Sequence, residues 1–314
     1  MRTRHRGIAA CLLLVAAGCG QDEETAPAVP VTKVTPVASE GFQSPLDAVA
    51  SPDGSTFYFT AYTTDAEAEA AIFSAPAEGG AATVLHSGAP LALPTGLVLS
   101  CDGGRLIVAD MSTRAIEDGV DAPDGGALYS IATSGGFSAL NAEGIYAPSG
   151  LALSDDCETL YVTGTTAEGM AALFTLPIGG GSAAVVHEGA PLRAPTGLHV
   201  SKDGVAWVLD HLAAGGENGA LFAIHPDGNV QTIVEGLALG TPGGCSLDAT
   251  GTAAVVPTRA EGEPARLNSI ELGSGKVTAF DVPDALDLAG LRVARGAPVF
   301  ALADQDGNRI FKVQ

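Results

Sequence analysis

Apolar residues recur with a period of two in short runs along this chain, and the runs come in sets. Leu97 and Leu99 alternate with Gly96, Val98 and Ser100, the spacing that lets a strand bury one face. Asp102-Gly103 follows and then a second apolar run, so the pair predicts a hairpin. Asp53-Gly54 and Asp203-Gly204 repeat that turn, glycine accepting positive φ and aspartate bonding nearby backbone. A third run opens at Ala70, Ala127, Ala172 and Ala220, and a fourth at Ala82, Ala183, Val230 and Val277.

The stretch PTGLVLSCDG from Pro94 heads one such set. Relatives of it read PLDAVASPDG from Pro45, PSGLALSDDC from Pro148, PTGLHVSKDG from Pro195, PGGCSLDATG from Pro242 and LAGLRVARGA from Leu288. Four short strands repeated six times, every ~40–50 residues, predict an all-β chain built as a six-bladed β-propeller of four-stranded antiparallel blades. A solenoid also repeats, but here the last set stops after its third strand, Arg309 to Gln314, while VPVTKVTPVA from Val29 is a strand-like run with no blade of its own. That N-terminal run is expected to supply the missing outer strand and close the ring, removing an exposed edge. The propeller is expected over residues 29–314, with no second domain.

The first 28 residues read as an address and a tether. Arg2, Arg4 and Arg6 precede an apolar run, Gly7 to Gly18, shorter than the ~20 residues a membrane span needs. Residues 1–18 thus read as a signal peptide. The run ends in VAAGC, which resembles a bacterial lipobox. The resemblance implies cleavage before Cys19 and a diacylglycerol on its thiol; ordinary signal-peptidase cleavage is the alternative, because Ala16 stands where Leu is usual. Residues 19–28 are acidic and Pro-containing, suited to a disordered tether. The expected location is the bacterial cell envelope, exported and lipid-anchored to a membrane.

Charge narrows the partners. The formal net charge is −21, and it becomes more negative once the leader's arginines are removed. Such a surface repels nucleic acid and, beyond the anchor, anionic membrane. The expected partners are the membrane through the anchor and a small-molecule ligand or envelope protein, with the chain itself a monomer. Of the remaining cysteines, Cys101 and Cys157 fall in the first hairpin turns of consecutive blades, where a disulfide is a candidate. Cys245 takes a position that Leu97, Leu151 and Leu198 fill elsewhere, and reads as a buried hydrophobe.

Candidate chemistry follows from a coarser repeat. HSGAPLALPTGLVLS from His86 and HEGAPLRAPTGLHVS from His187 lie two blades apart. In blades two, four and six the second strand ends in Asp110, Asp210 and Asp304; in the others it ends in Thr or Pro. Antiparallel pairing puts these carboxylates on one rim with Asp47, Thr95, Ser149 and Thr196. The loops there are acidic, with Asp65, Glu67, Glu69, Glu117, Asp118, Asp121, Asp124, Glu168, Glu217, Glu261, Glu263 and Asp306. Two readings stand: Asp47, Asp110, Asp210 and Asp304 converge as oxygen ligands on calcium, or each Asp caps loop backbone inside its own blade. Two residues beyond the glycine column, Val98 and Ala152 give way to His199, Ser246 and Arg292, a patch able to grip an anionic or carbonyl group. His211, beside Asp210, is the candidate proton carrier. The chain has no HExxH, CxxC, P-loop, GxSxG or EF-hand motif.

The repeated PTGLxxSxDG, followed by an apolar strand and Asp, resembles the six-bladed propellers of the senescence marker protein and gluconolactonase family, related in shape to paraoxonases and strictosidine synthase. NHL-type propellers, which mostly bind partners, are an equal comparison. The first resemblance implies a divalent cation at the channel mouth and hydrolysis of lactones or esters, with Glu, Asp and Asn ligands in an SNGL-like motif. Here the motif reads Thr95-Gly96-Leu97, Ser149-Gly150-Leu151 and Thr196-Gly197-Leu198, without the Asn. The expected function is therefore ligand or partner binding at the acidic channel mouth, without catalysis. A calcium-dependent lactone or ester hydrolase is the alternative, and an envelope scaffold the third reading.

Overall fold

The computed structural model describes residues 31, 33–112, 125–214, 218–240, 242–259 and 263–314. The leader, Cys19, the tether and the acidic residues Glu117, Asp118, Asp121, Asp124, Glu217 and Glu261 lie outside them.

Six four-stranded antiparallel sheets form the six blades of a propeller. Blade 1 runs through Gln43–Ala50, Thr56–Tyr62, Ala70–Pro76 and Thr83–Ser87. Blade 2 runs through Pro94–Leu99, Arg105–Asp110, Ala127–Ala132 and Phe137–Leu140. Blade 3 has Leu151–Leu153, Thr159–Thr165, Ala171–Pro177 and Ala184–Glu188. Blade 4 has Pro195–Val200, Ala206–Ala214, Asn218–Ile224 and Val230–Leu237. In blade 5 they are Ser246–Leu247, Ala253–Thr258, Arg266–Glu271 and Val277–Asp281.

Blade 6 is composite, as the unmatched strand-like run implied. Leu288–Val293, Phe300–Asp304 and Arg309–Val313 come from the C-terminal end, and Val34–Ala38 adds the outer strand. Val34 lies opposite Val313 and Thr35 opposite Lys312, antiparallel. Lys33 and Gln314 exchange both backbone hydrogen bonds at 2.9 Å, so the two ends of the ring are sewn together by main chain.

Period-two alternation explains where the core sits. Each blade turns one apolar face to each neighbour, and a cluster of buried side chains fills every junction. Phe42, Phe57, Phe59 and Phe73 pack with Ala289, Ala301 and Ile310 between blades 1 and 6, with the Phe59 and Phe73 rings stacked at 5.4 Å. Leu151, Leu160 and Phe174 join blade 3 to Ile107 and Leu128 of blade 2.

The turn between first and second strands is built by side chains. In four blades a serine hydroxyl donates to the aspartate two residues on: Ser51 to Asp53, Ser100 to Asp102, Ser154 to Asp156 and Ser201 to Asp203, at 2.5–2.6 Å. Gly54, Gly103 and Gly204 then take positive φ, as the turn requires. In blade 3 the corresponding residue is Cys157, which adopts φ 67° and is disulfide-bonded to Cys101 of blade 2, with Cα atoms 6.2 Å apart. Cys245 is free and buried.

Candidate ligand-binding channel

Asp110, Asp210 and Asp304 sit at equivalent corners of one rim, and each is fully buried. Their carboxylates turn into their own blades. Asp110 accepts backbone N–H groups from Ala92, Leu93 and Ser112 at 2.8, 3.0 and 3.1 Å. Asp210 accepts those of Arg193, Ala194 and Leu212 at 2.7, 2.9 and 3.0 Å. Asp304 accepts those of Leu286, Asp287 and Gly307 and meets Arg309 Nη2 at 3.3 Å. Each holds the incoming loop to the inner strand and leaves few buried donors without a partner. Burial pushes the Asp110 carboxyl up, against the three N–H bonds that pull it down.

The four-carboxylate calcium set is therefore not assembled: three of its members cap backbone, and Asp47 faces the channel. Among the described residues, no group of three or more His, Cys, Asp or Glu is arranged to hold a metal ion. The neighbouring hydroxyls also serve the frame. Thr95 Oγ1 donates to Pro148 O at 3.5 Å, and Thr196 Oγ1 accepts Gly243 N–H at 3.2 Å, each joining one inner strand to the next. Ser149 Oγ is buried without a partner among the described residues, as is His211 Nδ1. Asp210 does not orient His211, because its oxygens serve backbone.

Where the inner strands converge they approach within van der Waals contact. A Cβ on Gly96 would lie 1.9 Å from Ser149 O, one on Gly150 2.1 Å from Thr196 O, and one on Gly244 2.0 Å from Leu291 N. Gly197 and Gly290 are similarly crowded by the next blade. The glycine column is thus a steric requirement of the ring. Blade 1 alone breaks it, with Asp47. This carboxylate reaches into the channel: Oδ1 accepts Ala48 N–H at 2.9 Å, and Oδ2 accepts Leu97 N–H of blade 2 at 2.8 Å and Arg292 Nε of blade 6 at 2.8 Å. Burial pushes the Asp47 carboxyl up, opposed by Arg292 and by its backbone bonds.

Arg292 crosses the channel. Beyond Asp47, its Nη1 donates to Leu151 O of blade 3 and Leu198 O of blade 4. Nη2 has no partner among the described residues. Beside it, Ser246 Oγ lies 3.2 Å from His199 Nδ1 and accepts Val293 N–H at 3.1 Å. Which of the two donates in this bond is set by the imidazole tautomer, and with Nδ1 accepting, Nε2 carries the ring proton. Burial first, then Arg292 and Arg295, hold His199 down at about 4, so the imidazole is neutral near pH 7. His199, Ser246 and Arg292, spread over blades 4 to 6, are thus brought together.

These residues line a cavity of about 920 Å³. It opens at the end of the channel where the first and second strands turn, opposite the rim of Asp110, Asp210 and Asp304. Lys202, Asp155, Asp203 and Arg295 stand at its mouth, with Arg295 donating to Ser154 O at 2.7 Å. Val49, Val98 and Ala152 of blades 1 to 3 form the apolar wall facing the polar patch. The sequence carried a signal for the part not foreseen: one Asp in a column of glycines and one Arg two places along the same alignment. Asp203 is held by its hairpin serine, and nothing in the repeat pattern told which end of the channel is open.

No family model matches the chain, and no curated protein matches it in sequence. Solved structures match its shape. A structure of a nidogen/laminin complex aligns at TM-score 0.59 and 15% identity, covering 79% of this chain and 85% of the other. A Bacteroides thetaiotaomicron protein of unknown function aligns at 0.61 and 13%, covering 90% and 72%. The pyranose dehydrogenase PQQ domain of Coprinopsis cinerea aligns at 0.57 and 10%, covering 92% and 98%. At these identities the likeness is one of fold, which hosts many functions.

Proposed function

We propose that this chain is an exported, lipid-anchored binding protein that takes a small molecule into the open end of its channel without covalent chemistry. The observation that supports it is the convergence of His199, Ser246 and Arg292 on one cavity of about 920 Å³, a size suited to a small ligand. The site departs from the acidic mouth expected from the sequence, where the rim carboxylates hold loops. The anchor on Cys19 keeps the propeller at a membrane, and the strongly acidic surface keeps nucleic acid away. The chain works as a monomer.

Binding is favoured over hydrolysis by the state of the polar groups. Ser246 is 1% exposed and its oxygen already accepts Val293 N–H. The calcium-dependent lactone or ester hydrolase has no support in the orientation of Asp110, Asp210 and Asp304.

The test is a thermal-shift screen of the purified chain against a diverse small-molecule library, repeated with Ala249→Phe. Ala249 is exposed at the cavity mouth, so the ring narrows the opening with little cost to folding. Ligands that raise the melting temperature of the wild type and not of the variant support the reading. Hits indifferent to the variant, or no hits, overturn it. Membrane release of Cys19→Ser, with the wild type retained, is the expected result for the anchor.

A further inference from the structure

Resting on the channel reading above, we infer that the ligand is a small carboxylic acid with an apolar body, its carboxylate held by Arg292 and His199 and its body against Val49, Val98 and Ala152.

The two halves of the channel wall carry this inference. At the same level of the inner strands, blades 1 to 3 present Val49, Val98 and Ala152, and blades 4 to 6 present His199, Ser246 and Arg292. A ligand filling the cavity meets hydrocarbon on one side and polar groups on the other, so it must itself be two-sided. The polar side offers donors. Arg292 keeps Nη2 after Nε and Nη1 are engaged by Asp47, Leu151 O and Leu198 O. His199 adds Nε2–H in the tautomer whose Nδ1 accepts the Ser246 proton.

The side-chain acceptors beside these donors are already engaged. Asp47 is 2% exposed, with its oxygens on Ala48, Leu97 and Arg292. Ser246 Oγ serves Val293 and His199. A ligand oxygen bearing negative charge matches Arg292, since charge-assisted bonds are about twice as strong as neutral ones. An amide in its place brings two N–H groups to a wall with few free acceptors, which costs affinity. Asp155, Asp203 and Asp248 stand at the mouth. Asp203 and Asp248 are engaged by their hairpins, so the deepest open donor is Nη2 of the guanidinium, whose charge is shared with Asp47. Arg295 and Lys202 stand among those three carboxylates at the mouth, so selection for the acid falls to Arg292.

A convenient reporter sits next to the patch. Trp207 is the chain's one tryptophan and lies directly across from His199 in the sheet, on the same face. The experiment titrates the chain with octanoate and 2-naphthoate, and with their uncharged amides, following Trp207 fluorescence and calorimetric heat. The acids are expected to bind at least about tenfold tighter than the amides, about 1.4 kcal/mol. Arg292→Lys, which keeps a cation for Asp47 but loses Nη2, is expected to erase that preference. If Arg292→Lys fails to fold, the double change Asp47→Asn with Arg292→Gln serves the same purpose. Amides binding as tightly as acids, with both blocked by Ala249→Phe, overturn the carboxylate and leave the channel reading standing. No binding of any of the four probes overturns the carboxylic acid and leaves the channel to the library screen, and binding untouched by Ala249→Phe overturns both.

Discussion

Arg292 of the last blade donates from Nε to Asp47 Oδ2 of the first at 2.8 Å, with the two side chains only 12% and 3% exposed. The pair stands where the chain's ends meet, so the ring is closed twice: by the Val34–Ala38 strand outside and by an ion pair at the axis. Removing one partner leaves a buried charge alone, while replacing both with apolar groups does not. Asp47→Ala is expected to lower stability in urea by about 3–5 kcal/mol. The double variant Asp47→Ala with Arg292→Met is expected to recover most of it. Additive losses would contradict the coupling.

The glycine column makes a steric prediction. Gly150→Ala places a Cβ 2.1 Å from Thr196 O, which is backbone and cannot swing aside. The inner strands of blades 3 and 4 must part, at roughly 3 kcal/mol or more. Gly179 meets nothing within 4 Å, and Gly179→Ala should stay within about 0.5 kcal/mol of wild type. Denaturant midpoints of the two variants measure the contrast.

Asp210 holds three backbone donors, so Asp210→Ala is expected to cost about 1–3 kcal/mol. The loss should be the same in calcium and in EDTA. A melting temperature that rises with calcium in the wild type and not in Asp210→Ala would restore the rim as a metal site.

His199 titrates at about 4 in the fold against an ordinary 6.5. On acidification the unfolded chain takes up its proton first, so this neutral imidazole contributes stability fully above pH 6.5 and loses it as pH falls toward 4. Asp47, whose carboxyl is pushed up, acts in the opposite sense, its burial cost easing as it gains a proton. His199→Phe is expected to flatten the fall in stability between pH 6.5 and 4, read from urea unfolding at each pH. An unchanged slope would show that the imidazole is not held neutral.

Reduction of the Cys101–Cys157 bridge, which closes a sequence separation of 56 residues, is expected to cost about 4 kcal/mol by restoring chain entropy to the unfolded state. Urea midpoints with and without reductant give the value, with Cys101→Ala/Cys157→Ala as the control that reductant no longer affects.

The architecture was legible because it is periodic. Apolar alternation around Leu97, Leu151 and Leu198, and a strand-like run at Val34 with no blade of its own, are one-dimensional traces of burial and ring closure. The polar patch was half legible: His199, Ser246 and Arg292 stood out because blades 1 to 3 are apolar at that level. What the sequence left open was direction. Asp110, Asp210 and Asp304 share a rim in any reading of the repeat, but whether a carboxylate looks at an ion or at Ala92 N–H depends on the loop's path. Asp47 was grouped with them by its position, although its carboxylate, in the place of a missing glycine, faces the channel and Arg292. Repeats report which residues are equivalent, and the exceptions within a column report where the ring does something different.

Whether the channel's open end is the binding site is decided by titrating 2-naphthoate into the wild-type chain and Ala249→Phe side by side while following Trp207 fluorescence. The expected result is saturable change in the wild type and a loss of affinity of at least about tenfold in the variant, about 1.4 kcal/mol. Equal titrations in both would place any binding outside the channel and contradict it.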